Sequence, residues 1–265
     1  MTRSLAAVFA HPDDDAYGVS GSVALLAGGL ELTVVLATSG EAGRLADSSL
    51  ATPETLGRVR EEEDRASWRA IGITPQRLEF LRYPDGGLAG VSSDELVERV
   101  ASVLAETRPE VVISFGPDGV TGHGDHVAIA TATEEAFLRS REASEHDDAF
   151  RRLLRVAIPE SRLERLGERL REHGLEPLEP TQPFQPRGVP DDRIAVSVDV
   201  SSVYAKKLEA VRAHRSQDEM VDLPSDLWPM LLGEEHFVLG WPERSAGAPL
   251  LRSVFEGLPT PGRSR

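Results

Sequence analysis

Four short apolar runs, Leu5 to Ala10, Leu32 to Ala37, Leu78 to Leu81 and Val111 to Phe115, are each bounded by turn or polar residues and separated by longer stretches of helical character. Runs this short and this continuous suit buried strands, which carry apolar side chains on both faces. Between them, Tyr17 to Gly28 is apolar and small, and Glu54 to Ile71 is amphipathic and heavily charged. Ser93 to Thr107 sets Leu96, Val100, Val103 and Leu104 at helical spacing after a Ser-Ser-Asp-Glu start signal. Strand and helix therefore alternate as βαβαβαβ. Parallel strands joined by crossover helices give an α/β fold with helices on both faces of the sheet and ligand sites outside the carboxyl ends of the strands.

Beyond this Rossmann-like core, about residues 3–141, the pattern loosens. Val127 to Arg141 reads as a helix, Glu142 to Asp148 as a charged connection and Leu153 to Ile158 as another strand. Ser161 to His173 reads as an exposed helix, and Glu176 to Asp192, with five prolines, as a surface excursion. Ile194 to Val200 alternates like a strand and Val203 to Arg215 like an amphipathic helix. A single domain over 1–265 is expected, with a C-terminal α+β appendage at about 142–241 shaping the pocket and a flexible, Gly- and Pro-rich tail at 242–265.

The balance of 44 Asp and Glu against 29 Lys and Arg, a net charge of −15, repels phosphate backbones and anionic lipid surfaces, so neither nucleic acid nor membrane is an expected partner. A small-molecule substrate fits better, and a homo-oligomer is compatible with the composition. Without cysteine there is no disulfide and no thiolate metal site, which leaves His, Asp and Glu as the donors for any metal. The run Leu5 to Ala10 is too short for a signal-peptide core, and no run reaches the roughly 18 apolar residues of a membrane span, so a cytoplasmic protein is expected.

Ala10-His11-Pro12-Asp13-Asp14-Asp15 places an imidazole and three consecutive carboxylates directly after the first strand. Adjacent carboxylates repel one another unless a cation, helix N-terminal amides or solvent relieves them. Capping the following helix would use one or two of them and gives no role to His11. A divalent metal uses more: His11 and Asp14, three residues apart on a turn, can ligate one ion and leave Asp13 for the water that attacks.

The second motif is the loop from Gly116 to His126, which follows the Val111 to Phe115 strand and has four glycines between Gly116 and Gly124. Those glycines permit close backbone approach and positive φ. His123 and His126 can share one face of a turn, and one of them, with His11 and Asp14, would complete three protein ligands and leave an open position. The other histidine remains for chemistry. Both motifs fall at carboxyl ends of strands in the same sheet, where a shared site is expected. His146, His173 and His236 stand outside either motif.

Ala10-His11-Pro12-Asp13-Asp14 with His123-x-x-His126 resembles the PIG-L/LmbE superfamily of zinc-dependent N-deacetylases. Further similar segments are Thr38-Ser39-Gly40-Glu41-Ala42-Gly43, Arg60-Glu61-Glu62-Glu63, Asp85-Gly86 and Ala213-His214-Arg215-Ser216-Gln217, so the resemblance spans about residues 5–217. It implies hydrolysis of an N-acyl, typically N-acetyl, group on an amino sugar or glycoconjugate. It implies Zn2+, or another divalent metal such as Fe2+, held by His11, Asp14 and His126, with Asp13 as general base. It also implies that His123, with its ring oriented by Asp125, stabilises the oxyanion as an imidazolium or protonates the leaving amine. Arg44, Asp85 and His214 become candidate substrate contacts. One departure is Asp15, where the family commonly has Glu; its shorter side chain is expected to weaken a supporting hydrogen bond.

Competing classes fit less well. Two histidines and a carboxylate also mark non-haem iron oxygenases, but those place the triad on all-β jelly rolls. A dinucleotide fold would follow its first strand with Gly-x-Gly-x-x-Gly, where this chain has His-Pro-Asp-Asp-Asp. A non-catalytic sugar-binding member of the fold would lack the ligands or the base, and an amidase acting on a mycothiol-like conjugate shares all of them.

Overall fold

The computed structural model describes residues 2–26, 28–144, 148–217 and 223–260. The first half runs β1 (Arg3–Phe9), α1 (Asp14–Gly18), α2 (Ser20–Leu25), β2 (Leu30–Thr38), α3 (Leu56–Ala70), β3 (Arg77–Tyr83), α4 (Ser93–Thr107), β4 (Val111–Phe115) and α5 (Gly124–Ala143). The second half adds β5 (Arg152–Pro159), α6 (Glu160–Glu172), β6 (Gly188–Val189), β7 (Val196–Asp199), α7 (Tyr204–Arg212), α8 (Trp228–Leu232) and β8 (Glu234–Trp241). The helix expected over Tyr17 to Gly28 starts earlier, at Asp14, and breaks at Val19, whose φ of −148° lies outside the helical range.

The sheet order is β3-β2-β1-β4-β5-β8-β7, with β6 beside the end of β5. The five strands from β3 to β5 are parallel, and β8 runs antiparallel to both β5 and β7. The result is a mostly parallel, mixed sheet. Continuous burial of Leu5 through Ala10 and of Val111 through Ile113 explains why those strands carry no polar alternation. The chain travels from β1 outward to β2 and β3, then crosses to β4 on the other side of β1. That reversal leaves a crevice between the carboxyl ends of β1 and β4, the usual ligand position of an open α/β sheet.

The second half is tied to the first by a buried ion pair. Lys207 on α7 donates to Glu235 on β8 and to the Tyr17 carbonyl, while Glu235 accepts from the Gly21 and Ser22 amides at the start of α2. Much of the tail expected to be flexible is held, as far as the Pro259 carbonyl. Leu251 bridges to Val196, Val254 and Phe255 are buried, and the Arg3 and Arg152 guanidinium groups donate to carbonyls between Val254 and Pro259. Residues 261–265 lie outside the described residues.

Candidate metal centre

The first motif leaves β1 in a tight turn. Asp13 sits at φ 119°, a value that L residues seldom hold and that persists where the surroundings over-determine it. The Asp14 carboxylate reaches back to accept from the His11 backbone N–H at 2.7 Å. Across the crevice, His123 caps α5, accepting at Nδ1 from the Asp125 backbone N–H at 3.1 Å, and His126 falls in the first turn.

The two motifs meet. His11 Nδ1 lies 3.1 Å from His126 Nε2, His11 Nδ1 lies 3.4 Å from Asp14 Oδ2, and His126 Nε2 lies 3.4 Å from Asp14 Oδ1. A tetrahedral ion with ligands at about 2.0–2.1 Å spaces its donors by about 3.3 Å, so this triangle has the dimensions of a metal site. Two imidazole nitrogens facing each other at 3.1 Å also need a cation or a proton between them. The outer nitrogens support that reading. His126 Nδ1 lies 2.9 Å from the Gly119 carbonyl, which fixes the hydrogen there and turns a lone pair inward at Nε2. His11 Nε2 lies 2.9 Å from Asp85 Oδ1 and 3.4 Å from Asp125 Oδ2, though neither contact has the alignment of a full hydrogen bond.

Charge follows geometry. Burial opposes a charge on His11, but Asp125, Asp14 and Asp85 outweigh it and hold the ring well above the ordinary histidine range. Burial likewise opposes ionisation of Asp14, yet the fields of His126 and His11 hold it well below the carboxylate range. His123 is pushed down by burial and then by the fields of His11 and His126. Its ring stands 4.9 Å from that of His11 and 5.0 Å from that of His126, beside the triangle.

Several expected roles change. Asp125 does not orient His123 through its carboxylate. That carboxylate accepts from the Gly86 and Leu88 amides at 2.7 and 3.0 Å, and the Asp125 backbone N–H meets His123 instead. An imidazolium at His123 is disfavoured by the same burial and neighbouring charges that lower its pKa. Asp85, expected at the sugar, accepts from the Ala42 amide and backs His11, with its side chain 7% exposed. His214 is 3% exposed and lies in an interior cluster with Asp15 and Asp64, where burial and Arg60 push it down to about 3. Arg44 is exposed, and its carbonyl is held by Gln217 of the late His-x-x-Gln element. Asp15 keeps two hydrogen bonds in spite of its length, from the Ala16 amide and from Trp68 Nε1.

Arg60 opens the charged Arg60-Glu61-Glu62-Glu63 segment of α3 and has no role of its own in the sequence. It is 4% exposed, and its guanidinium donates to the Pro12 and Gly40 carbonyls and, at 3.0 Å, to Asp13 Oδ2. No one-dimensional signal separates it from its charged neighbours on α3, because its partners lie on two other loops. Gly40 makes room for it: φ is 66°, and a Cβ there would stand 2.4 Å from the guanidinium carbon. Gly40→Ala is therefore expected to displace Arg60 and lower turnover at least several-fold, with a stability loss of about 1–3 kcal/mol from strain at positive φ. Denaturant titration and steady-state rates on one preparation check both.

The proline-rich excursion reaches the site. The Arg187 amide donates to the Val120 carbonyl at 2.7 Å, and Phe184, 65% exposed, places its ring 5.2 Å from that of His123. A cavity of about 220 Å³ opens behind the Gly116 to Val120 loop, bordered by Arg155, Arg187 and Arg193 and by none of the triangle residues. His173 pairs with Asp226, His236 lies by Arg162, and His146 is outside the described residues.

A mostly parallel, mixed sheet with two histidines and a carboxylate at its β1–β4 crevice defines an α/β protein whose site lies at the carboxyl ends of parallel strands. The chain belongs to the PIG-L family: the model described as GlcNAc-PI de-N-acetylase matches residues 6–137. The 1D-myo-inositol 2-acetamido-2-deoxy-alpha-D-glucopyranoside deacetylase of Nocardiopsis dassonvillei is 32% identical, over 88% of this chain and 92% of that protein. Among solved structures, the N,N'-diacetylchitobiose deacetylase of Pyrococcus horikoshii superposes with a TM-score of 0.59 at 21% identity, covering 89% of this chain and 83% of that one. The 4-carboxy-2-hydroxymuconate hydratase GalB of Pseudomonas putida KT2440 superposes at 0.62 with 18% identity, over 94% of this chain and 100% of that one. These two likenesses speak for the fold alone, and they show it carrying two different reactions. No helix among the described residues is long and apolar enough to cross a membrane.

Proposed function

We propose that this protein hydrolyses the N-acetyl group of a glucosamine conjugate of the glucosaminyl-inositol kind, with Zn2+ held by His11, Asp14 and His126. The observation that carries the proposal is the donor triangle of 3.1 to 3.4 Å with His123 beside it. Family membership and the Nocardiopsis relative supply the reaction and the substrate class. Zinc at that triangle would polarise the amide carbonyl and make a bound water more acidic.

The chain's own groups do the rest. Asp13, braced by Arg60, takes the proton of the attacking water. His123 accepts at Nδ1, so its hydrogen sits on Nε2, and a neutral Nε2–H donates to the developing oxyanion, worth roughly 3–4 kcal/mol. With His123 neutral, the proton that expels the amine comes back from Asp13. Arg44 and Phe184 are the proposed sugar contacts, because both are exposed and Phe184 adjoins His123.

The decisive experiment incubates zinc-loaded protein with N-acetylglucosaminyl-inositol, N-acetylglucosamine, diacetylchitobiose and an N-acyl-cysteine conjugate, and measures released primary amine. Preference for the inositol conjugate supports the proposal. Preference for the cysteine conjugate would make the protein an amidase, and a flat response across all four would remove the substrate assignment. His126→Ala should lose the zinc of this centre, read by metal analysis, and Asp85→Asn should weaken zinc affinity about 10- to 100-fold through His11, read by chelator competition. Because burial and neighbouring charges lower His123, its protonation should depress kcat/KM only below the ordinary histidine range; an acid limb centred above that range would contradict the neutral donor.

A further inference from the structure

We propose a second divalent-metal site in the protein interior, held by Asp15, Asp64 and a ring nitrogen of His214. One donor atom from each residue lies within 4.8 Å of the others, and the three are 1%, 0% and 3% exposed. Neither ring nitrogen of His214 has a hydrogen-bond partner, and the Asp64 carboxyl group meets only that of Asp15. Asp15, by contrast, is anchored by the Ala16 amide and Trp68 Nε1, so one donor is fixed in advance.

Two carboxylates placed together away from water demand either a shared proton or a counter-charge. The nearby cations are committed elsewhere, Arg60 to Pro12, Gly40 and Asp13, and Arg65 to Glu61 and Glu62. An apolar cluster would fill the same space at lower cost, yet the chain keeps an imidazole there with both nitrogens unengaged. Two carboxylate oxygens and one imidazole nitrogen suit a borderline transition ion such as Zn2+, Mn2+ or Co2+ better than Ca2+, which takes six to eight oxygens. The spacing is looser than that of the front triangle, so binding draws the donors together. His214 has no hydrogen bond for that movement to break.

An ion there would join three separate pieces of chain: α1 next to Asp14, the middle of α3, and the turn after α7. It would act as a rivet behind the front centre, distinct from it in every ligand.

The test is metal content and anomalous scattering. Wild-type protein saturated with Zn2+ and freed of loose metal should hold two ions per chain, and crystals measured at the zinc edge should show a second anomalous peak among Asp15, Asp64 and His214. His126→Ala should keep the interior ion, whereas Asp64→Asn and His214→Gln should each keep only the front one. Saturation at one ion, with a single peak at the front triangle, would overturn the proposal and leave Asp15 and Asp64 to share a proton. The wild-type map decides the question even if a variant fails to fold.

Discussion

Asp13→Asn is expected to lower kcat by about 10²- to 10⁴-fold while leaving zinc content unchanged. Asparagine keeps the shape that Arg60 grips but cannot take a proton from water. The carboxylate is held in one direction by a guanidinium that is itself fixed on two carbonyls, so what the variant loses is chemistry and not position. Because Asp13 contributes no atom to the triangle of His11, Asp14 and His126, the metal has no reason to leave. Amine release under saturating substrate, with metal analysis on the same sample, measures both quantities. A variant with wild-type kcat would remove Asp13 from the role of base, and one that loses zinc would make it a ligand.

Lys207→Met should be the most destabilising single change in the second half of the chain, by about 3–5 kcal/mol. Methionine fills a similar volume, so the loss is electrostatic: Glu235, 3% exposed, is left with two backbone amides and no cation. At roughly 2–4 °C per kcal/mol for a domain near this size, the melting temperature should fall by on the order of 10 °C. Adding Glu235→Gln should recover part of it, because the unpaired charge then disappears. Thermal melts of the single and double variants check this, and equal Tm values for wild type and Lys207→Met would contradict the burial argument.

The parallel core was legible because β1, β2 and β4 are buried on both faces, and such strands print unbroken apolar runs into the sequence. β8 was not. It begins Glu234-Glu235-His236, and an acidic start is tolerable in a strand only because Lys207, on another element, neutralises Glu235. The triangle residues could be read because His and Asp cluster at the ends of those legible strands. Their supports could not: Asp85 looked like a sugar contact, and nothing set Arg60 apart within its charged segment until Asp13 was placed beside it. Asp125 shows the finest grain of this limit, since the expected partner of His123 does meet it, but through its amide and not its carboxylate.

The excursion that carries Phe184 to His123 contributes no atom to the donor triangle, which stands on the β1–α1 turn and the first turn of α5. Reaction and recognition thus occupy separable stretches of chain. Grafting another proline-rich excursion between Gly174 and Pro190 should change which acylated amine is admitted without rebuilding the hydrolytic apparatus, which makes this segment the natural place to recast substrate range by design.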